Sequence, residues 1–232
     1  MMNPAPLFYF PSLPDRPGSV SLDAETRKHI VTVLRMTQGE QVHLTDGLGK
    51  RCSAVIELAD KKQLVVNIND ILQCAPPTKH ITLACSLLKH AARFEWMVEK
   101  VTEIGATAII PMLCHRTERQ HFRMDRAQQI VQSAALQSQN CWFPILHEPK
   151  SMTQLLSGEL PPYTFIAHCM EGEKTRLSSV NQDAMVLIGP EGDFTTEEIT
   201  AAREKGFAAV TLGESRLRTE TAAVVGVVQL LH

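Results

Sequence analysis

The spacing of the apolar residues changes once along the chain. From about Leu7 to Asp70 they alternate with polar residues or form β-branched runs, which is the pattern of half-buried strands. Strands are predicted at Ser19–Leu22, Gln41–Thr45, Lys50–Leu58 and Gln63–Ile68. The pair Asp46-Gly47 favours a hairpin turn between two of them. This region therefore predicts a small β barrel or half barrel.

One helix is predicted within this β-rich region. It begins after Asp23, a residue type that caps helix N-termini, and Ile30, Val31 and Leu34 are expected to face inward. Its other surface carries Arg27, Lys28, His29 and Arg35. A basic surface of this kind is suited to phosphate groups, although a charged helix face is ordinarily only solvated. Alternatively, His29 packs within the first region and does not contact phosphate.

The adjacent prolines at 76 and 77 interrupt the pattern, because proline cannot donate to a strand ladder and restricts the residue before it. We place a domain boundary here, between residues 1–74 and residues 75–232. Beyond it strands and helices alternate, which predicts an α/β fold with a parallel sheet. The strands are predicted at Ile81–Leu88, Ala108–Leu113, Tyr163–Cys169, Met185–Ile188 and Ala208–Leu212, and two helices at Arg93–Ile104 and Met124–Gln139.

Two more segments are predicted near the end of the chain. Thr195 and Glu198 form a capping-box pattern that begins a helix, and Gly206 ends it. The final segment, Ala222–Leu231, is apolar on every side, so we expect it to be buried in the core or against another subunit. Its β-branched composition favours a strand, but its periodicity does not decide between strand and helix.

Composition narrows the functional classes. The 232 residues have a formal net charge of −2, so any binding of nucleic acid has to rest on a local group of Lys and Arg. The six cysteines are dispersed without a C-x-x-C pair, which is typical of reduced thiols in a cytoplasmic protein and predicts no metal site. The beginning does not resemble a signal peptide, and no segment is apolar enough to span a bilayer, so we expect a soluble protein.

Two glycine-containing turns follow apolar runs in the last quarter of the chain. The first is Gly-Pro-Glu-Gly at 189–192, and the second begins at Gly213 and continues through a charged segment to Thr221. Glycine lets main-chain groups approach a ligand closely, and open α/β sheets bind ligands at the carboxyl ends of their strands. The fingerprints of Rossmann dehydrogenases, P-loop NTPases and common hydrolases are missing. A different kind of ligand pocket is predicted at these turns.

Both turns resemble the signatures of the RsmE-type 16S ribosomal RNA uridine-N3 methyltransferases, a family of the SPOUT superfamily. The resemblance rests on residues 189–192 and on Leu-Gly-x-x-x-Leu-Arg-Thr-Glu-Thr-Ala at 212–222. It extends over nearly the whole chain, through His29, residues 33–35, 46–49, Lys89, Lys100, 102–106 and 110–111.

The resemblance implies a PUA-like β barrel for RNA over residues 1–74 and a SPOUT domain over residues 75–232, with a deep trefoil knot. It further implies a homodimer formed through the SPOUT domain, a helical final segment and S-adenosylmethionine as cofactor. The adenine would lie among main-chain groups of three turns. The residues implied in cofactor binding are His168, Met170, Ile188, Gly189, Pro190, Gly192, Leu212, Gly213, Leu217, Arg218 and Thr221.

The implied reaction is methylation of N3 of a uridine in 16S rRNA. The family pattern implies that this base is uridine 1498 in the decoding region. The substrate would be the naked rRNA or the assembled 30S subunit. Arg218 is the first candidate for stabilising the negative charge that develops on the uridine ring. Glu191 and Glu220 are the candidates for accepting the N3 proton. Structural pairing of Arg218 with one of these glutamates is the alternative.

Phosphate contacts are also predicted in the second region, at Lys89, Arg93, Arg116 and Arg119. Two departures from the family pattern leave other functions open. Asp193 stands where a second glycine is common, and Leu136–Asn140 replaces a Glu-Gln-x-x-Arg helix end. The alternatives are a non-catalytic RNA-binding module and a SPOUT methyltransferase that acts on a different RNA position.

Overall fold

A computed structural model describes residues 5–232 of the protein. These residues form two compact units. The first unit comprises residues 5–76 with Ala135–Phe143, and the second comprises Pro77–Ala134 with Pro144–His232. The chain first leaves the first unit at the proline pair that interrupts the sequence pattern. Its return at 135–143 was not predicted, because this segment continues a helical pattern without a break.

The first unit contains a five-stranded sheet. Its strands are β1 (Leu7–Tyr9), β2 (Gly18–Ser21), β3 (Gln41–Thr45), β4 (Lys50–Ala59) and β5 (Leu64–Gln73). They lie in the order β1-β3-β4-β5-β2, with β1 parallel to β3 and the other neighbours antiparallel. The four predicted strands are confirmed and β1 is an addition, whereas closure into a barrel stays a prediction.

The helix of the first unit begins where predicted but changes its winding. The Asp23 carboxylate accepts hydrogen bonds from the amides of Glu25 and Thr26, and α1 spans Ala24–Arg27. A π-helical turn follows at Lys28–Val33. The wider turn keeps Ile30 buried but rotates Leu34 away from that face, so the inward prediction for Leu34 is wrong and its side chain is 42% exposed.

Residues 135–143 complete the first unit. Gln139 accepts a hydrogen bond from the Arg51 guanidinium at 2.9 Å, and Phe143 packs against Tyr9 with ring centroids 5.5 Å apart. The Trp142 ring lies so close to Gly49 that a Cβ atom there would be 2.2 Å from it. The segment that departs from the family pattern therefore contributes to the packing of the first unit.

The second unit is built on a parallel sheet. Its strands are β6 (Ile81–Ser86), β7 (Ala108–Leu113), β8 (Ile145–Leu146), β9 (Lys150–Ser151), β10 (Tyr163–Ala167), β11 (Thr175–Arg176), β12 (Ala184–Ile188) and β13 (Ala208–Thr211). Their order is β11-β13-β10-β12-β6-β7-β8, and β9 pairs with β7. All these pairs are parallel, so the carboxyl ends of the strands meet at one edge. The α/β prediction is confirmed.

Helices cover this sheet. They are α2 (Ala91–Ile104), α3 (Met124–Gln137), α4 (Met152–Leu156), α5 (Thr196–Glu204) and α6 (Thr219–Leu231). The predicted capping box of α5 is present, since Thr195 and Glu198 each accept the other's backbone amide. The last segment forms helix α6, and Lys79 donates to its final carbonyls, those of Leu230 and Leu231. Burial against β6, β12 and α2 outweighs its strand propensity.

Candidate functional site

A cleft of about 480 Å³ opens at the carboxyl edge of β10, β12 and β13. Three segments line it. We call them the histidine turn (residues 167–174, after β10), the glycine turn (189–194, after β12) and the arginine loop (212–218, after β13). The lining residues are Ala167, His168, Cys169, Lys174, Ile188, Gly189, Pro190, Glu191, Asp193, Val210, Thr211, Leu212, Gly213, Glu214, Ser215, Arg216, Leu217, Thr219 and Ala222.

The glycine turn is fixed by close packing and by side chains from neighbouring segments. A Cβ atom on Gly189 would lie 3.0 Å from the Phe194 ring and 3.2 Å from its backbone nitrogen, so only glycine fits without displacement. The Arg116 guanidinium donates to the carbonyls of Gly192 and Phe194, at 2.7 and 3.3 Å. The Glu191 carboxylate accepts from the backbone amide of Lys89 at 3.1 Å.

Asp193 joins the glycine turn to the histidine turn. Its backbone has φ +64°, in the left-handed region that glycine occupies readily and that aspartate tolerates better than most residues. One carboxylate oxygen accepts from the backbone amide of Cys169 and the other from that of Phe194, both at 2.8 Å. Asp193, which stands where a second glycine is common, therefore keeps the backbone conformation and adds a connection between two lining segments.

The histidine turn is also closed by Lys174, whose ammonium donates to the carbonyl of His168 at 2.9 Å. Burial and the nearby Lys174 charge lower the pKa of the His168 imidazole, although Asp193 opposes them. The Nδ1 atom of His168 is buried and has no hydrogen-bond partner among residues 5–232. The His168 imidazole therefore lines the cleft with a lowered pKa and with its Nδ1 atom unpaired within residues 5–232.

The arginine loop has a different character, because residues 213–216 and Arg218 are all exposed. Thr211 donates its hydroxyl to the Gly213 carbonyl, and Gln229 donates to the carbonyl of Leu212. Arg218 is the N-cap residue of α6 and lies next to the cleft-lining Leu217. In the described part of the chain its guanidinium forms no ion pair, so the pairing with Glu191 or Glu220 weighed from the sequence does not occur.

Glu220, in the first turn of α6, is a buried carboxylate. Its side chain is 10% exposed, and Oε1 lies 3.7 Å from Nε of Arg93. Its Oε2 atom is buried without a hydrogen-bond partner among the described residues. The pKa of the buried Cys85 thiol is raised mainly by burial, then by Cys114 and by the charges of Glu191 and Glu220. Both glutamates therefore lie near the end of β6.

The structure brings most of the predicted cofactor residues together. Those that line the cleft are His168, Ile188, Gly189, Pro190, Leu212, Gly213 and Leu217, and those that do not are Met170, Gly192, Arg218 and Thr221. Several lining residues were not predicted from the sequence, and among them Lys174 and Asp193 form hydrogen bonds within the lining segments. Asp193 had a signal in the sequence, namely its place in a glycine pattern, whereas Lys174 lies in a segment without one.

Several of the predicted phosphate contacts have partners within their own unit. In the second unit, Lys89 pairs with Glu118 at 2.9 Å and Arg119 donates to the His121 carbonyl at 2.9 Å. In the first unit, Arg27 donates to the Lys62 carbonyl. Lys28, His29 and Arg35 are exposed there, with His29 edge-on to Phe8 at 5.7 Å and Arg35 in the left-handed region at φ +56°.

Residues 5–232 contain no cluster of three or more His, Cys, Asp or Glu side chains placed to hold a metal ion. None of their helices combines the length and the apolar character needed to cross a membrane.

Two family models match parts of the chain. Residues 75–231 match the family model of an RNA methyltransferase domain, and residues 22–69 match that of an RNA methyltransferase PUA domain. The ribosomal RNA small subunit methyltransferase E of Synechocystis sp. is 31% identical in an alignment of 224 positions that covers 92% of this chain and 73% of that protein.

Two solved structures are similar over almost the whole chain. A probable rRNA methyltransferase from Porphyromonas gingivalis has 36% identity and a TM-score of 0.88, with 97% of this chain and 98% of that one covered. A ribosomal RNA small subunit methyltransferase E from Neisseria gonorrhoeae, bound to S-adenosyl methionine, has 29% identity and a TM-score of 0.84, with 96% and 95% covered. This chain belongs to the ribosomal RNA small subunit methyltransferase E family, as the two turn signatures predicted.

Proposed function

We propose that this protein transfers the methyl group of S-adenosylmethionine to N3 of a uridine in 16S rRNA, which by the family pattern is uridine 1498. The observation that carries the proposal is the cleft itself, lined by three turns at the carboxyl edge of a parallel sheet, with an exposed arginine beside it. The cytoplasm, where rRNA is modified, would be the place of action.

The cleft fits this methyl donor. Its volume of about 480 Å³ is in the range of sites for small molecules, and its three segments offer main-chain groups to an adenine ring. The carboxylates of Glu191 and Glu214 complement the donor's positive charges, while Lys174 and Arg216 are cations available for its carboxylate. The Neisseria gonorrhoeae relative was solved with this compound bound.

Arg218 would stabilise the reacting base. When bound, the donor supplies an electrophilic methyl group on a sulfonium. Uridine N3 must lose its proton before it can attack, and the negative charge is then shared with the ring carbonyls. A guanidinium beside the ring would favour that charge through a rigid fork of donors. Arg218 is suited to this role because it is exposed, unpaired among the described residues and attached to the cleft through Leu217.

Glu220 is the better of the two candidate proton acceptors. One oxygen of Glu191 already accepts the Lys89 amide, whereas Oε2 of Glu220 is buried and has no partner in the described chain. Such an atom is costly to leave unpaired, which favours a donor arriving from a ligand. A general base contributes about 10²- to 10⁴-fold, and alignment of base and methyl group supplies roughly 7–11 kcal/mol.

The RNA would be held by local groups of cations rather than by overall charge. In the second unit the segments around α2 and residues 115–126 carry Lys89, Arg93, Arg116, Arg119, Arg123 and Arg126. In the first unit Lys28, His29 and Arg35 are exposed, in agreement with its match to a PUA domain.

We further propose the trefoil knot and a homodimer formed through α6, whose Val228 is 37% exposed.

The test is incubation of the purified chain with labelled S-adenosylmethionine and either naked 16S rRNA or 30S subunits, followed by mass spectrometry of the nucleosides. N3-methyluridine is the expected product, and the better substrate identifies the natural one. Binding of RNA without methyl transfer would support a non-catalytic RNA-binding module. Label in any other nucleoside would support a methyltransferase for a different position.

A further inference from the structure

We infer that Asp193 is a positioning residue that sets the histidine turn against the glycine turn before the methyl donor arrives. The inference rests on the proposed use of S-adenosylmethionine. Asp193 lies in the glycine turn and connects it to the histidine turn, because one carboxylate oxygen accepts the Cys169 amide at 2.8 Å, while the other accepts the amide of Phe194 within its own turn at 2.8 Å. It also lines the cleft.

The chemistry of the side chain suits this role better than the alternatives do. Glycine would adopt φ +64° without strain but has no acceptor. Asparagine tolerates the same backbone, yet only its carbonyl oxygen accepts hydrogen bonds, so it could hold one of the two amides. Aspartate offers two acceptors with a full negative charge, which makes both bonds shorter and stronger than neutral ones.

The connection spans two neighbouring strands. β10 and β12 pair from Tyr163 to Ala167, and the turns that follow them present their main-chain groups to the same cleft. If the histidine turn is only partly ordered, only a fraction of the molecules can bind the donor, and the apparent donor affinity decreases in proportion to that fraction. Asp193 keeps that fraction high without participating in methyl transfer.

The test compares Asp193→Asn and Asp193→Gly with Asp183→Asn as a matched control. Asp183 also accepts a backbone amide, that of His80 at 2.7 Å, but at the opposite edge of the same sheet. We expect calorimetry to show a Kd for S-adenosylmethionine raised by about tenfold in Asp193→Gly, by a smaller factor in Asp193→Asn, and by less than about twofold in the control. We expect kcat at saturating donor to change by less than about twofold, and the Cys169 amide to exchange faster with deuterium in the absence of donor.

S-adenosylhomocysteine separates positioning from direct charge recognition, because it lacks the sulfonium charge. Positioning predicts equal losses for both compounds. An unchanged Kd, a loss confined to S-adenosylmethionine, or a fall in kcat alone would overturn the inference. These outcomes do not depend on the base that is methylated, since failure of the proposed function would be visible in the wild-type nucleoside analysis.

Discussion

The glycine turn and the arginine loop line the same cleft but are held very differently. The glycine turn has Gly189 and Pro190 buried and is fastened by Lys89, Arg116 and Asp193. The arginine loop is exposed at residues 213–216 and at Arg218, and its hydrogen bonds come from Thr211 and Gln229. One segment is held by hydrogen bonds to neighbouring residues, and the other leaves its charged side chains exposed.

This difference suggests how the two segments share the proposed reaction. A preformed turn binds a small molecule without an ordering cost, which is what a donor site requires. An exposed loop that carries Arg218 can meet an RNA base that arrives from outside. We therefore expect changes in the glycine turn to affect donor affinity and stability, and changes in the arginine loop to affect turnover.

Arg218→Ala should have the largest effect. Because the guanidinium would act on charge that develops only in the reaction, we expect kcat to fall by about 10²- to 10³-fold with the donor Kd unchanged. Arg218→Lys should recover part of the loss, since it keeps the charge without the planar fork. Arg203→Ala, an exposed arginine on α5, is the control for single-turnover kinetics. Full activity in Arg218→Ala would remove this residue from the mechanism.

Gly189→Ala should break the glycine turn. The new methyl group would meet the Phe194 ring and backbone at 3.0–3.2 Å, so we expect a loss of about 1–3 kcal/mol in the free energy of unfolding. The donor Kd should rise as well. Gly192→Ala is the matched control in the same turn, because its Cβ would meet Arg116 at an ordinary 3.4 Å. Equal denaturation midpoints for the two variants would contradict this explanation.

Arg116→Ala should have a smaller effect of the same kind. It removes the hydrogen bonds to the Gly192 and Phe194 carbonyls, so we expect the donor Kd to rise by roughly three- to tenfold. Calorimetry with Arg123→Ala as the control would measure it. If Arg116 serves only RNA phosphates, the donor Kd will stay constant and only the salt dependence of RNA binding will decrease.

The pH dependence should show the smallest effect. The pKa of His168 is lowered in the folded protein by burial and by Lys174, so the unfolded chain binds this proton more readily. Its contribution to stability is therefore present above about pH 6.5 and is lost as the pH falls through the lowered pKa. Denaturation of the wild type and of His168→Gln at pH 7.5 and 5.5 would measure it. An equal pH dependence in both proteins would exclude His168 as the cause.

The sequence predicted the elements whose pattern is local. The period-2 strands β3 and β4, the helix α2 and the capping box of α5 are visible in short windows, and all of them are confirmed. The π-helical turn was missed because its wider winding is not visible in the composition of the segment. The inward prediction for Leu34 failed for that reason.

Contacts between distant parts of the chain were not predictable. The pair Asp46-Gly47 indicated a hairpin, but nothing local showed that Trp142 would pack against Gly49. For α6, local β propensity pointed in the wrong direction, and only the family resemblance indicated a helix. In the cleft, the glycine signatures located two of the three segments, while the hydrogen bonds of Asp193 and Lys174 depend on the folded arrangement.

Hydrogen–deuterium exchange with and without S-adenosylmethionine tests the central claim most directly, namely that a preformed turn and an exposed loop bind the donor together. Without donor, we expect slow exchange in residues 189–194 and fast exchange in residues 213–218. With donor, protection should increase mainly in residues 213–218, with little change in the already protected turn. Equal protection of both segments before binding, or no change in residues 213–218 upon binding, would contradict the account.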